Sequence, residues 1–175
     1  MTIAIQTPEA WLRRLVDNHL RGLARFPAQM NLDDAAWHSL LLRVGLSDTA
    51  RSPHLRQQDA LLSHLLTPRR QECEQLACWL EQYMTPDAVP MHALIASASM
   101  GFNHLWQDLG LASRAELREL MTACFEPLIG MNAKNMRWKK FFYRQVCLAQ
   151  EGELICRSPS CESCSEIAFC FAPEV

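Results

Sequence analysis

The stretch "TPEAWLRRLVDNHLRGLARFP", residues 7–27, indicates the fold class because it carries the signals of an amphipathic helix from start to stop. Thr7 can cap the first turn, and Pro8 occupies the first helical position, where its missing N–H costs nothing. Apolar side chains then recur every three or four residues: Trp11, Leu12, Leu15, Val16, Leu20 and Leu23. Pro27 ends the pattern, so we predict a helix that begins near residue 8 and stops before residue 27.

Similar signals recur along the chain. Ser52-Pro53 and Thr67-Pro68 repeat the cap-proline pair, and Ser113 with Glu116 forms a capping box. Further helices are predicted at about 31–45, 53–66, 68–84, 113–127 and 132–150. The apolar segment 89–111 should be helical in its first half, whereas its second half has no clear period. Because no hairpin dipeptide separates alternating strands, we predict an all-α fold, a bundle of about six or seven helices.

Length and charge limit the classes of function. The chain has 175 residues, 49% of them hydrophobic, which suffices for one core and favours a single domain overall. We divide it into a helical part, 1–150, and an irregular, cysteine-rich metal-binding tail, 151–175, packed on or beside the last helix. The net charge of -2 argues against nucleic-acid or membrane-surface binding by the whole protein. No signal peptide or spanning segment is apparent, so we expect a cytoplasmic protein.

Four of the eight cysteines lie in "CRSPSCESCSEIAFC", residues 156–170. Cys156, Cys161, Cys164 and Cys170 are separated by four, two and five residues. Thiols stay reduced in the cytosol, so such a cluster points to metal rather than to disulfides. Four thiolates can bind tetrahedral zinc, and they can also bind an iron–sulfur cluster, for which the opening C-x4-C-x2-C is a known spacing. The spacing alone leaves both open, and either would order the tail.

The remaining cysteines and histidines give weaker signals. Cys73, Cys78 and Cys124 are expected to be ordinary buried residues. The six histidines are scattered and none lies in the tail, although His92 and His104 flank the least periodic stretch. No phosphate loop, nucleophile elbow or dinucleotide fingerprint is present. The sequence therefore specifies no catalytic residues, and we expect a protein without enzymatic turnover.

The segment "NAKNMRWKKFFYRQVC", residues 132–147, is basic and precedes the tail directly. On a helical wheel Arg137, Lys140 and Arg144 share one side, while aromatic residues occupy the other. The simplest explanation is an amphipathic helix whose charges face water. The functional alternative is an anion site beside the thiolates. Cys147 lies on the basic side and is a candidate accessory sulfur ligand, because neighbouring positive charge favours thiolate.

These segments resemble a known family. "MRWKKFFYRQVC" at 136–147, "EGELICRSPSCESCSEIAFCF" at 151–171 and "LWQDLGLASRAELRELM" at 105–121 are similar to the NifQ family of nitrogen-fixing bacteria. The resemblance is close in the C-terminal third and covers the earlier helices only in general character. It assigns the family's four metal-binding cysteines to Cys156, Cys161, Cys164 and Cys170.

The resemblance implies an iron–sulfur protein that binds molybdenum in a molybdenum–iron–sulfur cluster and donates it for assembly of the nitrogenase iron–molybdenum cofactor. Its expected partners are a molybdate or other molybdenum source, the cofactor assembly scaffold and nitrogenase reductase. Molybdate is an oxyanion, so we hypothesise that Arg137, Lys140 and Arg144 attract it and offset the charge of the thiolates.

Two other functions fit the residues. One is a helical interaction protein whose tail is folded by structural zinc. The other is an electron-transfer protein, which would share the cluster but would not need a neighbouring anion site.

Overall fold

A computed structural model describes residues 6–150 and 167–172. The helices in these two ranges are α1 (Pro8–Leu20), α2 (Asp34–Val44), α3 (Pro53–Leu66), α4 (Arg70–Glu81), α5 (Met91–Ser99), α6 (Leu105–Asp108), α7 (Arg114–Cys124), α8 (Glu126–Met131), α9 (Trp138–Ala149) and α10 (Ile167–Phe171). Short 3-10 helices lie at Ala28–Asn31, Thr67–Arg69 and Pro86–Ala88. No strand occurs in these ranges, which confirms the all-α fold class, although the helices are shorter and more numerous than predicted.

Capping explains where several helices begin and end. The Thr7 hydroxyl accepts from the Ala10 N–H, the Ser52 hydroxyl from Leu55 and the Ser113 hydroxyl from Glu116, as the sequence predicted. Gly45 ends α2 in the left-handed conformation, with φ of 67°. The cap-proline signals at 7–8 and 52–53 therefore mark real helix starts.

Two predicted boundaries are wrong. Thr67 is not an N-cap: its backbone stays right-handed helical and its hydroxyl donates to the Ser63 carbonyl, so the chain passes from α3 into a 3-10 turn before α4 begins at Arg70. The last long helix does not begin at Asn132 but at Trp138. Residues 132–137 form a turn instead, because the Asn132 side chain binds both the N–H and the carbonyl of Met136.

The core is built around α5, in which seven of the nine residues are buried. Helix α4 packs on it extensively, and α9 covers α4 through an aromatic cluster. In that cluster the Trp79 ring lies 6.4 Å from both Phe141 and Phe142, centroid to centroid. The aromatic side of α9 therefore faces the core, as the helical wheel predicted, and leaves the other side outward. No helix in the described ranges is long and apolar enough to cross a membrane.

Candidate metal centre

Of the four cysteines in the tail motif, Cys170 lies within the described residues, whereas Cys156, Cys161 and Cys164 lie outside them. It is a half-buried cysteine on α10, a short helix where we expected an irregular tail. Its carbonyl accepts a hydrogen bond from the Arg137 N–H at 3.1 Å, which places α10 beside the beginning of α9. The fourth cysteine of the motif is thus attached to the folded helical part of the protein.

Arg137 makes several contacts to the segment that carries Cys170. Its Nε donates to the Ala172 carbonyl at 3.3 Å, and its guanidinium lies 4.6 Å from the centre of the Phe169 ring. A cation over an aromatic face is attractive, by about 0.5–1 kcal/mol at an exposed position. Phe171, from the same helix, packs partly buried against the core. Arg137 therefore holds α10, besides any role it has toward anions.

The turn before α9 fixes the position of Arg137. Asn132 donates to and accepts from the Met136 backbone, both at 2.8 Å, and it is almost fully buried. Arg114 Nη2 adds hydrogen bonds of 2.9 Å to the carbonyls of Asn135 and Met136. Asn135 has φ of 57°, a left-handed conformation that asparagine tolerates better than most residues. The chain therefore reaches Arg137 through a turn that the Asn132 and Arg114 side chains stabilise.

An ion pair between a half-buried lysine and a fully buried aspartate fixes the first turn of α9. Lys139 Nζ donates to Asp108 Oδ2 at 2.6 Å and to the Gly101 carbonyl at 3.0 Å. Asp108 is fully buried and also accepts from the backbone and the side chain of Asn103. A Cβ at residue 101 would lie 2.5 Å from the Asp108 carboxylate, so this close approach requires glycine. Loop 100–104, α6 and α9 are joined at this point.

Two of the basic residues of this segment bind other parts of the protein, and two lie on the outward face of α9. Arg137 contacts α10 and Lys139 contacts Asp108, while Lys140 is exposed and Arg144 half-buried one turn later on the same face of α9. Cys147 is half-buried, but it lies ten residues after Arg137. At 1.5 Å per residue the two positions are about 15 Å apart along the axis. The structure therefore does not bring Cys147 beside Cys170.

The other cysteines show no second metal site. Cys73 and Cys124 are buried, and burial raises the pKa of their thiols to about 11 and about 12, so both remain protonated at neutral pH. The prediction that Cys78 is buried is wrong, because its side chain faces solvent from α4. Within residues 6–150 and 167–172, no three histidine, cysteine or acidic side chains are grouped closely enough to bind a metal ion.

The sequence analysis missed the residues that support the site. Asp108 and Gly101 lie far along the chain from the cysteines, and only their contacts with Lys139 show that they support the site. Two asparagines within four residues, at 132 and 135, were nevertheless a readable turn signal. That signal would have shortened the predicted last helix and placed Arg137 at its start.

Comparison with known proteins gives one consistent family. The family model described as NifQ matches residues 11–172. The chain is 51% identical to Protein NifQ of Klebsiella pneumoniae over 164 residues, which are 94% of this chain and 98% of that protein. It is 38% identical to Protein NifQ of Azotobacter vinelandii over 173 residues, covering 94% of this chain and 88% of the relative. No solved structure matches.

Proposed function

The chain belongs to the NifQ family, and on that premise we propose that it is a carrier that holds molybdenum in an iron–sulfur cluster and donates it for assembly of the nitrogenase iron–molybdenum cofactor. The observation that carries the proposal is the attachment of Cys170 to the start of α9. A cargo held there is anchored to the folded protein and bordered by basic side chains.

The four proposed cysteine ligands are suited to an iron–sulfur cluster. Cys156, Cys161, Cys164 and Cys170 would bind iron as thiolates, the form in which cysteine ligates clusters. Of these four cysteines, Cys170 lies within the described residues, where it is half-buried on α10. Loading releases a proton from each thiol that becomes a ligand, which makes binding stronger at higher pH.

The charges around α9 support a role in handling anions. A cluster with four thiolates carries net negative charge, and molybdate is an anion as well. Lys140 and Arg144 present positive charge on one face of α9, and Arg137 adds a third at its start. Such a face attracts an incoming anion and offsets the charge of the loaded site. The binding of an anion beside the thiolates is what distinguishes a molybdenum carrier from an electron-transfer protein or a protein with a zinc-folded tail.

The protein's partners and the absence of catalysis are part of this proposal. We propose no catalytic turnover: the protein receives molybdenum from molybdate or another source and releases it to a cofactor assembly scaffold, with nitrogenase reductase as a further partner. We place this exchange in the cytoplasm, without nucleic acid or membrane.

The test compares two cysteine variants of the full chain. Cys170→Ser removes a proposed ligand, whereas Cys78→Ser changes an exposed cysteine on α4 that the proposal does not use. After anaerobic reconstitution with iron, sulfide, molybdate and dithionite as the reductant, the Cys78 variant should load like the parent protein, and the Cys170 variant should lose iron and molybdenum. Equal loading of both variants would contradict the proposal. Transfer of molybdenum from the loaded protein to the assembly scaffold would then test delivery.

A further inference from the structure

An apolar groove of about 430 Å³ lies between α3 and the two loops 22–26 and 100–104, and none of the proposed metal ligands lines it. Its lining includes leucines of α3 and the Phe102 side chain. Leu61, Leu65 and Phe102 are 59%, 52% and 73% exposed. Single exposed apolar residues are common on protein surfaces, whereas a cluster of them around one concavity marks an interaction site.

The wall that α3 contributes to the groove has the length of a short helix. The lining residues of this wall, from Leu55 to Leu65, recur every three or four positions along one face of α3. Ten residues of helix rise about 15 Å, so the wall is about three helical turns long. A facing helix can place apolar side chains at the same spacing against these leucines. The groove is therefore suited to an amphipathic helix.

Phe102 lies on a loop that is fixed on both sides of this residue. Before it, the Gly101 carbonyl accepts a hydrogen bond from Lys139 Nζ at 3.0 Å. After it, Asn103 donates from its backbone and its side chain to the buried Asp108 carboxylate. The ring is thus exposed although its neighbours are held in place. An aromatic side chain on a fixed loop loses little conformational freedom when a partner covers it, which favours binding at this position.

The accessible charge at the groove is positive. Among the charged residues of the lining, Arg51 and Asp59 are buried and pair with each other at 2.7 Å. Asp108 is also buried, and it pairs with Lys139 at 2.6 Å. Arg25 is exposed, and its side chain has no acidic partner in the part of the chain that the structure describes.

This charge distribution favours one kind of occupant. A positive charge beside an apolar groove is complementary to an acidic partner. A second copy of the chain fits less well, because a symmetric dimer presents the same basic surface on both sides of its interface. Besides Arg25, the groove segments carry the exposed Arg56 on α3, and the acidic residue of that helix, Asp59, is buried.

The groove is connected to the candidate metal centre through the start of α9. Gly101 and Asp108 line the groove, and both bind Lys139 in the first turn of α9. Two residues before Lys139, the Arg137 N–H donates to the Cys170 carbonyl. Only the first turn of α9 therefore separates a protein bound in the groove from the segment that carries Cys170.

We propose that this groove binds an acidic amphipathic helix of the protein that receives the molybdenum. The apolar side of that helix packs against Leu61, Leu65 and Phe102, and a carboxylate beside it pairs with Arg25. The identification of the partner as the receiver of the metal rests on the proposed function, whereas the shape and the charge of the groove do not depend on it.

The experiment measures binding of the full-length apoprotein to the purified cofactor assembly scaffold by biolayer interferometry. Leu61→Ser and Phe102→Ser should each weaken binding about tenfold, because each removes a large apolar contact. Leu42→Ser is the matched control: Leu42 is 70% exposed on α2 and does not line the groove, so affinity should be unchanged. Circular dichroism checks that the three variants remain folded. Parent affinity in both groove variants would overturn the proposal.

A charge variant tests the acidic character of the partner. Arg25→Glu should slow association with the scaffold about tenfold at low salt, and the difference should shrink as salt is added. Arg118→Glu makes the same change at an exposed position on α7 that does not line the groove, and it should associate like the parent protein. Equal slowing in both variants would ascribe the effect to net charge and contradict an acidic helix in the groove.

Light scattering tests the alternative occupant, a second copy of the chain. The parent apoprotein should be monomeric at the concentrations used for binding. A dimer that Phe102→Ser dissociates would assign the groove to self-association and overturn the proposal.

Metal loading separates this proposal from the proposed function. Leu61→Ser and Phe102→Ser should load iron and molybdenum like the parent protein and should transfer molybdenum to the scaffold more slowly. Transfer at the parent rate in both variants would overturn the groove as a docking site and leave the carrier function intact. Scaffold binding that depends on the groove, in a parent protein that loads no molybdenum, would support the docking site and contradict the carrier function.

Discussion

Replacing Lys139 by methionine should destabilise the protein by about 3 kcal/mol, because it leaves the Asp108 carboxylate buried without its cation. Asp108 is fully buried and its Oδ2 lies 2.6 Å from Lys139 Nζ. Breaking a buried pair from one side typically costs about 3–5 kcal/mol. We expect the lower end, because two hydrogen bonds from Asn103 remain to stabilise the charge.

Urea unfolding followed by tryptophan fluorescence measures this cost, since Trp138 directly precedes the altered residue. Lys140→Met is the matched control: it removes the neighbouring, exposed charge, and its free energy of unfolding should change by no more than about 0.5 kcal/mol. In the double variant Asp108→Asn with Lys139→Met, the loss should be smaller than in Lys139→Met alone, because no buried charge is left unpaired. A loss below about 1 kcal/mol in Lys139→Met would refute the reasoning.

Three further outcomes are expected. Burial lowers the pKa of His19 to about 4 from 6.5, so the unfolded chain binds a proton that the folded protein does not. The free energy of unfolding should therefore be highest above pH 6.5 and fall by about 3 kcal/mol as the pH drops to 4. His19→Gln should remove this fall from the pH profile of urea unfolding. Arg137→Ala should speed amide exchange in residues 167–172 about tenfold, because a cation–aromatic contact and a hydrogen bond to Ala172 are lost; unchanged exchange would mean that Arg137 does not hold α10. Reversing the charges of Lys140 and Arg144 to glutamate should reduce molybdenum loading without unfolding the protein, and unchanged loading with an intact fold would contradict the anion role of this face.

The local sequence signals predicted the helices that depend on short-range chemistry. The pairs Thr7-Pro8 and Ser52-Pro53 mark real starts because a capping hydroxyl and a proline act within one turn. Thr67-Pro68 is the same dipeptide as Thr7-Pro8, but Thr67 does not cap a helix. It directly follows α3, and its hydroxyl donates to the Ser63 carbonyl within that helix. The difference lies in what precedes the threonine, which the two-residue pattern does not contain.

The support of the candidate site was less predictable because it depends on contacts between distant segments. Lys139 looked like one more solvent-facing charge, yet it binds Asp108, thirty-one positions away in the chain. Arg137 looked like part of the anion-binding face, and its contacts to Phe169 and Ala172 show that it also holds α10. Cysteine spacing indicates a metal ligand set on its own, whereas the partner of a charged residue becomes visible only in the fold.

The most direct measurement is metal analysis with an absorption spectrum on protein purified without oxygen from cells grown with molybdate. The account predicts iron, acid-labile sulfide and molybdenum together in the parent protein, and their loss in Cys161→Ala. Zinc alone in the parent protein, persisting through anaerobic purification and attempted cluster reconstitution, would contradict the carrier function and favour a tail folded by structural zinc.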